Sequence, residues 1–239
     1  MEIKNKLLTI NSQKIIRVTI NAALIICAGI GIINNAQKSN IASTIAYFTI
    51  QSNLLCVILA GITLAREIKQ GNSKEKIYIF FKGMALVSIL LTFFIYNFVL
   101  KPTMDMADST RKESLDSILL HVAVPLLMFG DFLFFEKKNL YKWWYPFTWA
   151  LFPIFYVAYT AVYKALGGLY RYNKGAAKFP YFFLDYETYG FGMVGLWILI
   201  ITIGFIGFSF LLLGLCKILT RLKAGAAGHP SGETDSGSV

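Results

Sequence analysis

At 239 residues, 56% of them hydrophobic and 15% charged, with a mean hydropathy of +0.58, the chain lies outside the composition of ordinary soluble domains. Its net charge of +10 invites a nucleic-acid reading, but the 23 Lys and Arg sit mostly in short loops flanking apolar runs, with no basic face interleaved with aromatics. Composition excludes a soluble enzyme and a nucleic-acid partner, and leaves an integral membrane protein whose charge sets its orientation.

Six runs are long enough to cross a bilayer core of roughly 30 Å as helices: 14–33, 45–65, 77–100, 118–135, 143–164 and 189–219. The expected fold is all-α, a single polytopic domain over 1–223 with six transmembrane helices. The first run follows Lys4, Lys6, Lys14 and Arg17 without a small-residue cleavage signature, and reads as a retained span. The fifth is the least regular, interrupted by Pro146 and Pro153. Trp143, Trp144 and Tyr145 at its start, with Tyr163, Tyr170 and Tyr172 near its far end, stand where interfacial aromatic belts belong. Six crossings put both termini on one side. That side holds nearly twice as many Lys and Arg as the other, among them Arg66, Lys69, Lys74, Lys76 and Lys82 between the second and third runs. The positive-inside rule then sets both termini in the cytoplasm, as expected for a multi-pass protein of a bacterial plasma membrane.

Cys27, Cys56 and Cys216 lie inside apolar runs without C-x-x-C spacing, and are expected as buried thiols. No internal repeat or matched pair of broken helices suggests an inverted-repeat transporter. From 224 to 239 the composition turns to Gly, Ala, Ser and acidic residues, which reads as a disordered tail or expression remnant.

A polar group in hydrocarbon is costly unless paired, so the few inside the runs are informative. His229 falls in the tail, leaving His121 as the one imidazole of the membrane domain. With neither H-E-x-x-H nor a Cys and His cluster, no metal or cofactor is expected, and His121 would act as a base or hydrogen-bonding group. At about 100° per residue, Thr49, Ser52, Asn53 and Cys56 share one face of the second span. Such a stripe is ordinarily structural, its hydroxyls bonded one turn back. Depth adds to it, because the second and fourth spans both run inward and set Thr49 and His121 about one turn, ~5 Å, below the outer surface. The third and fifth spans bring Asn97, Tyr96, Tyr159 and Tyr163 to a similar level. A pocket so lined has the composition of a nucleophile, a base and oxyanion donors; the competing reading is a polar network tying helices together.

Asp131, about 15 Å further along the helix of His121, is out of its reach and is expected to pair near Lys137. Asp185 and Glu187 close an aromatic segment, Lys178-Phe179-Pro180-Tyr181-Phe182-Phe183-Leu184-Asp185, that lies in the outer interface. It reads either as an anchor with a solvated acid or as a lid that brings Asp185 toward His121, with Gly167 and Gly168 as the hinge.

Three motifs carry a resemblance over nearly the whole chain to about Leu222: Phe48-Thr49-x-Gln51-Ser52-Asn53, His121-Val122-Ala123-Val124-Pro125 and Tyr181-Phe182-Phe183-Leu184-Asp185. Together they resemble the six-span family that includes the androgen-induced protein and the androgen-dependent tissue factor pathway inhibitor regulating protein of animals, with bacterial relatives. The resemblance implies an intramembrane threonine hydrolase of fatty acid esters of hydroxy fatty acids, with Thr49 as nucleophile, His121 as base and both termini cytoplasmic. The proline falls four positions after the histidine where the animal pattern has five, and Ile118 stands near an upstream histidine of that pattern. These departures imply a changed pocket.

The expected activity is hydrolysis of a lipid or fatty acyl ester reaching the site from the outer leaflet. Ser52, Asn53, Asn97, Tyr96, Tyr159, Tyr163 and Asp185 are the candidates for substrate or oxyanion contacts. The alternatives are a small-solute transporter and a non-catalytic lipid-binding membrane protein. Asp131 and His121 are the only charges expected within the membrane, which argues against ion-coupled transport.

Overall fold

The structure, a computed structural model, describes residues 2–69, 75–107, 110, 112–172 and 175–227. It is mostly helical. In chain order the helices are α1 (Glu2–Lys38), the short α2 (Ile41–Ile45), α3 (Phe48–Lys69), α4 (Glu75–Ile95), α5 (Lys101–Ala107), α6 (Leu115–Ile118), α7 (Val124–Phe135), α8 (Tyr145–Trp149), α9 (Leu151–Ala165) and α10 (Tyr186–Ala227). Among the described residues, five helical stretches are long and apolar enough to cross a membrane: Ser12–Lys38, Phe48–Ile68, Glu75–Met106, Leu115–Phe135 and Tyr186–Leu222. Four of them overrun the corresponding apolar run, because hydropathy marks only the hydrocarbon-facing part of a helix that continues into the interface, and Phe48–Ile68 is shifted three residues onward from the expected 45–65. α10 reaches Ala227, past the change in composition at 224. Residues 228–239, with the rest of the expected tail and His229, lie outside the described residues.

The fifth run is two helices. Pro153 lacks an N–H, and its ring would clash with the carbonyl four residues back, so the chain breaks at Ala150 between α8 and α9. α9 ends in a Schellman turn: Gly167 N–H donates to Lys164 O at 2.9 Å and Gly168 N–H to Tyr163 O at 2.9 Å, with Gly167 at φ +79°. The glycine pair therefore serves as a helix stop. A Cβ at Gly168 would lie 2.5 Å from the Tyr163 ring, so the second glycine is required by close approach. Beyond it the all-helical expectation fails locally. A small antiparallel hairpin pairs β1 (Tyr170–Tyr172) with β2 (Gly175–Ala177), with Tyr170 opposite Ala177.

α1, α3, α4 and α7 pack around one apolar core, in which small residues such as Ala28, Cys56, Ala60 and Ala85 let the helices approach closely. Cys56 and Cys216 are buried, and all three cysteines are free thiols. A second cluster, Phe48, Tyr156, Phe183, Leu184 and Val194, joins α3, α9 and α10 to the aromatic segment at one end of the bundle.

Toward the other end lies a charged network that hydropathy does not reveal. Asp131, fully buried on α7, pairs with Lys82 Nζ of α4 at 2.9 Å and with Arg17 Nε of α1 at 3.3 Å, and accepts from Asn21 Nδ2 at 2.7 Å. Arg17 also reaches Glu136 at 2.6 Å and Glu67 at 3.0 Å. Lys137, the expected partner of Asp131, instead pairs with Glu75 at 2.8 Å. Lys82, expected in a loop, is completely buried within α4. Desolvating such ions is repaid only when each has partners, so removing one is far worse than removing the pair. Asp131→Ala should destabilise the protein by about 3–5 kcal/mol, whereas Lys82→Met with Asp131→Leu should recover most of that loss; thermal unfolding of the detergent-solubilised variants measures both.

Candidate functional site

Two prolines shape the region around Thr49 and His121. Between α4 and α5 the turn Tyr96–Leu100 is a π-turn, with Lys101 N–H bonded to Tyr96 O, and Pro102 follows directly. Between α6 and α7 the turn Leu119–Ala123 is a second π-turn, with Val124 N–H bonded to Leu119 O, and Pro125 follows. Widening the turn relieves the clash of the proline ring with the preceding carbonyls, but the missing N–H leaves carbonyls without an intrahelical donor. In a membrane these must be satisfied by other groups. Asn53 Nδ2 donates to Leu120 O at 3.2 Å and Asn97 Nδ2 to His121 O at 3.4 Å. The same two amides bond one turn back on their own helices, Asn53 to Thr49 O at 2.7 Å and Asn97 to Phe93 O at 2.8 Å. Both carboxamides, expected as oxyanion donors, thus spend their N–H groups on backbone.

His121 is carried on the second π-turn and Tyr96 on the first, and their rings stack with centroids 3.7 Å apart at 14°. His121 Nδ1 lies 3.0 Å from Ser117 O. A carbonyl only accepts, so Nδ1 holds the proton and Nε2 of the neutral ring is an acceptor. Nε2 lies 3.3 Å from Thr49 Oγ1, in the first turn of α3. A hydroxyl donating to an imidazole whose far nitrogen is tied to a fixed acceptor is the arrangement in which the ring can take the hydroxyl proton. Gly31 makes it possible from the α1 side, since a Cβ there would sit 2.7 Å from Leu120 Cγ and push His121's turn outward.

The other sequence candidates fall in different places. Ser52 is buried and donates to Thr49 O at 3.0 Å while sharing a 3.0 Å bond with Thr92, so it acts as a helix tie. Tyr96 donates to Glu113 at 3.2 Å. Tyr159 and Tyr163 stack on each other along α9, and the Tyr163 hydroxyl lies 3.4 Å from Leu169 O. Neither lines the cavities beside Thr49. Asp185 does not turn toward His121; it caps α10, accepting from Glu187 N at 3.1 Å, Thr188 N at 3.0 Å and Thr188 Oγ1 at 2.7 Å. Burial pushes its pKa up, but these bonds outweigh that and hold it below the usual carboxylate range.

What the aromatic segment does bring to the site is Tyr181. Burial raises its phenol pKa, and hydrogen bonding with the Thr49 side chain and backbone and with Tyr156 works against that rise. Tyr181 was visible only as part of an aromatic stretch, because where a loop lands is not encoded in any local spacing.

Thr49, Tyr96 and Tyr181 stand where two spaces meet. A cavity of about 410 Å³ has Thr49 and His121 in its wall and extends past Ser117, Asp116, Lys38 and Ser39. A narrow apolar cleft leaves Thr49 in the other direction, between Pro153 and Ile154 of α9 and Ile198 and Ile201 of α10. Among the described residues no group of three His, Cys, Asp or Glu is placed to hold a metal ion. Around the expected Asp131, the network adds Arg17, Lys82 and Glu136, charges that the sequence reading did not place within the helices, and each of these cations has an acidic partner. Comparison with models of protein families, with curated proteins and with solved structures finds no match to this chain.

Asn53→Leu should leave the Leu120 carbonyl unsatisfied, at about 1–3 kcal/mol, whereas Thr49 O keeps the Ser52 hydroxyl. Adding Pro125→Ala supplies a donor for the α6–α7 turn and should recover part of that loss, which unfolding in detergent would resolve.

Proposed function

We propose that this chain is an intramembrane lipid-ester hydrolase in which Thr49 is the nucleophile and His121 the base. The observation that carries the reading is the Thr49–His121 hydrogen bond, with His121 Nδ1 committed to the Ser117 carbonyl so that Nε2 faces the hydroxyl. The apolar cleft on one side of Thr49 suits an acyl chain, and the wider cavity on the other suits the leaving alcohol and water. The motif resemblance to the androgen-induced protein family, with its threonine hydrolases of fatty acid esters of hydroxy fatty acids, points the same way.

In this reading the protein crosses the membrane six times, with both termini in the cytoplasm. α8 and α9 make the fifth crossing, together roughly 30 Å long at 1.5 Å per residue. The ester reaches Thr49 from the outer leaflet. His121 Nε2 takes the Thr49 proton as Oγ1 attacks the acyl carbonyl, and returns it to the departing alkoxide, leaving an acyl-threonine and a free alcohol. Water then attacks the acyl-threonine with His121 again as base, releasing the fatty acid and restoring the hydroxyl. The Ser117 carbonyl fixes the tautomer of His121 and the Tyr96 ring fixes its plane. Tyr181 is the donor for the oxyanion.

Purified protein should cleave at least one member of a panel of lipid esters in detergent, and Thr49→Ala and His121→Ala, each checked for folding, should abolish that cleavage. Inertness across the panel, or a Thr49→Ala variant as active as wild type, would end this reading. Tyr181→Phe should lower kcat about 100-fold with little change in KM, matching the roughly 3 kcal/mol lost with one oxyanion donor.

A further inference from the structure

Lys38, in the last turn of α1, and Asp116, in the first turn of α6, form an ion pair across the wide cavity beside Thr49 and His121. Asn35 Nδ2 also approaches Asp116 Oδ2, at 3.5 Å. Among the described residues lining that cavity, these are the only ammonium and carboxylate side chains. The remaining polar wall is made of hydroxyls, phenols and an amide, among them Ser39, Thr103, Ser114, Ser117, Tyr47 and Asn35.

The two spaces divide an ester between them. The cleft between α9 and α10 has no charged side chain in its lining, so it takes the acyl chain. The alcohol half then lies in the wide cavity, where the fixed charges of the described lining cancel. An alcohol bearing a free carboxylate would find Lys38 already engaged and Asp116 facing it, with repulsion added to the cost of opening the pair. A hydroxylated neutral alcohol meets donors and acceptors that can exchange bonds with it without disturbing the pair.

Resting on the hydrolase reading, we propose that the leaving group is a neutral polyhydroxy alcohol of the glycerol type, and that the Lys38–Asp116 pair selects against alcohols carrying a free carboxylate. Asp116 is thereby a specificity-determining residue, and it acts by holding the Lys38 charge.

The test uses the full chain in detergent micelles with one acyl group on three alcohols: glycerol, a hydroxy fatty acid with its carboxylate free, and glycerophosphocholine. Wild type should cleave the acylglycerol with the highest kcat/KM. Asp116→Asn should shift the ratio of rates toward the carboxylate-bearing ester by roughly fivefold, the worth of one partly exposed charge pair. Lys38→Gln should shift it the other way. The ratio is taken within one preparation, so partial loss of folded protein does not affect it. Preference of the wild type for the carboxylate-bearing or the zwitterionic ester, or an unchanged ratio in Asp116→Asn, would overturn the proposal while leaving the Thr49–His121 hydrolase intact. Inertness on all three, with Thr49 unlabelled by an acyl-directed fluorophosphonate, would remove the hydrolase reading and this proposal together.

Discussion

The arrangement depends on how a membrane helix copes with a proline. Pro125 removes one donor from the helix that carries His121, and the cost of an unsatisfied carbonyl in hydrocarbon makes the consequence long-ranged. The turn widens, and Leu120 O and His121 O must find donors on other helices. Asn53 and Asn97 supply them from α3 and α4. Because Asn53 also bonds the carbonyl of Thr49, the amide that repairs the turn of His121 fixes the hydroxyl that His121 faces. A backbone defect and the side-chain pair are thus parts of one hydrogen-bonded unit.

Two ion pairs set the frame for that unit. α1 and the α6–α7 segment run antiparallel, held by Arg17–Asp131 at one end and Lys38–Asp116 at the other. His121 lies between the clamps, with Gly31 admitting Leu120 against α1. Lys82 adds α4 to the clamp at Asp131. Packing without hydrophobic drive in a bilayer gives little resistance to sliding, so directional contacts of this kind are what hold a register to within a fraction of a turn.

Much of this was legible in the sequence, and the rest was not for identifiable reasons. Apolar runs located the long helices, since length and hydropathy are local quantities. Common depth on two spans that the charge count reads as running the same way aimed Thr49 and His121 at each other, and they are hydrogen-bonded. Asn53 and Asn97 were expected to face a ligand because spacing reports which face a residue occupies and says nothing about which acceptor its amide meets. Pro125 was the available signal, since it announces a carbonyl in need of a donor. Lys82 and Arg17 read as loop and flank residues because a hydropathy window cannot see that Asp131, far away in the chain, offers each of them a partner. The strands near Tyr170 are three residues each, too short for alternation to register.

The apolar cleft beside Thr49 reaches the outside of the bundle at Ile154, whose side chain is exposed on the face of α9. A ligand taking this route never passes through bulk water on its way to the hydroxyl. Its effective supply is then its mole fraction in the surrounding bilayer or micelle. At a fixed molar amount of ligand, adding inert detergent or lipid dilutes it in two dimensions and slows its arrival, while adding water does nothing. Affinities for this site are properly stated against the membrane as solvent, and a weak interaction on that scale can correspond to near-complete retention from the aqueous phase.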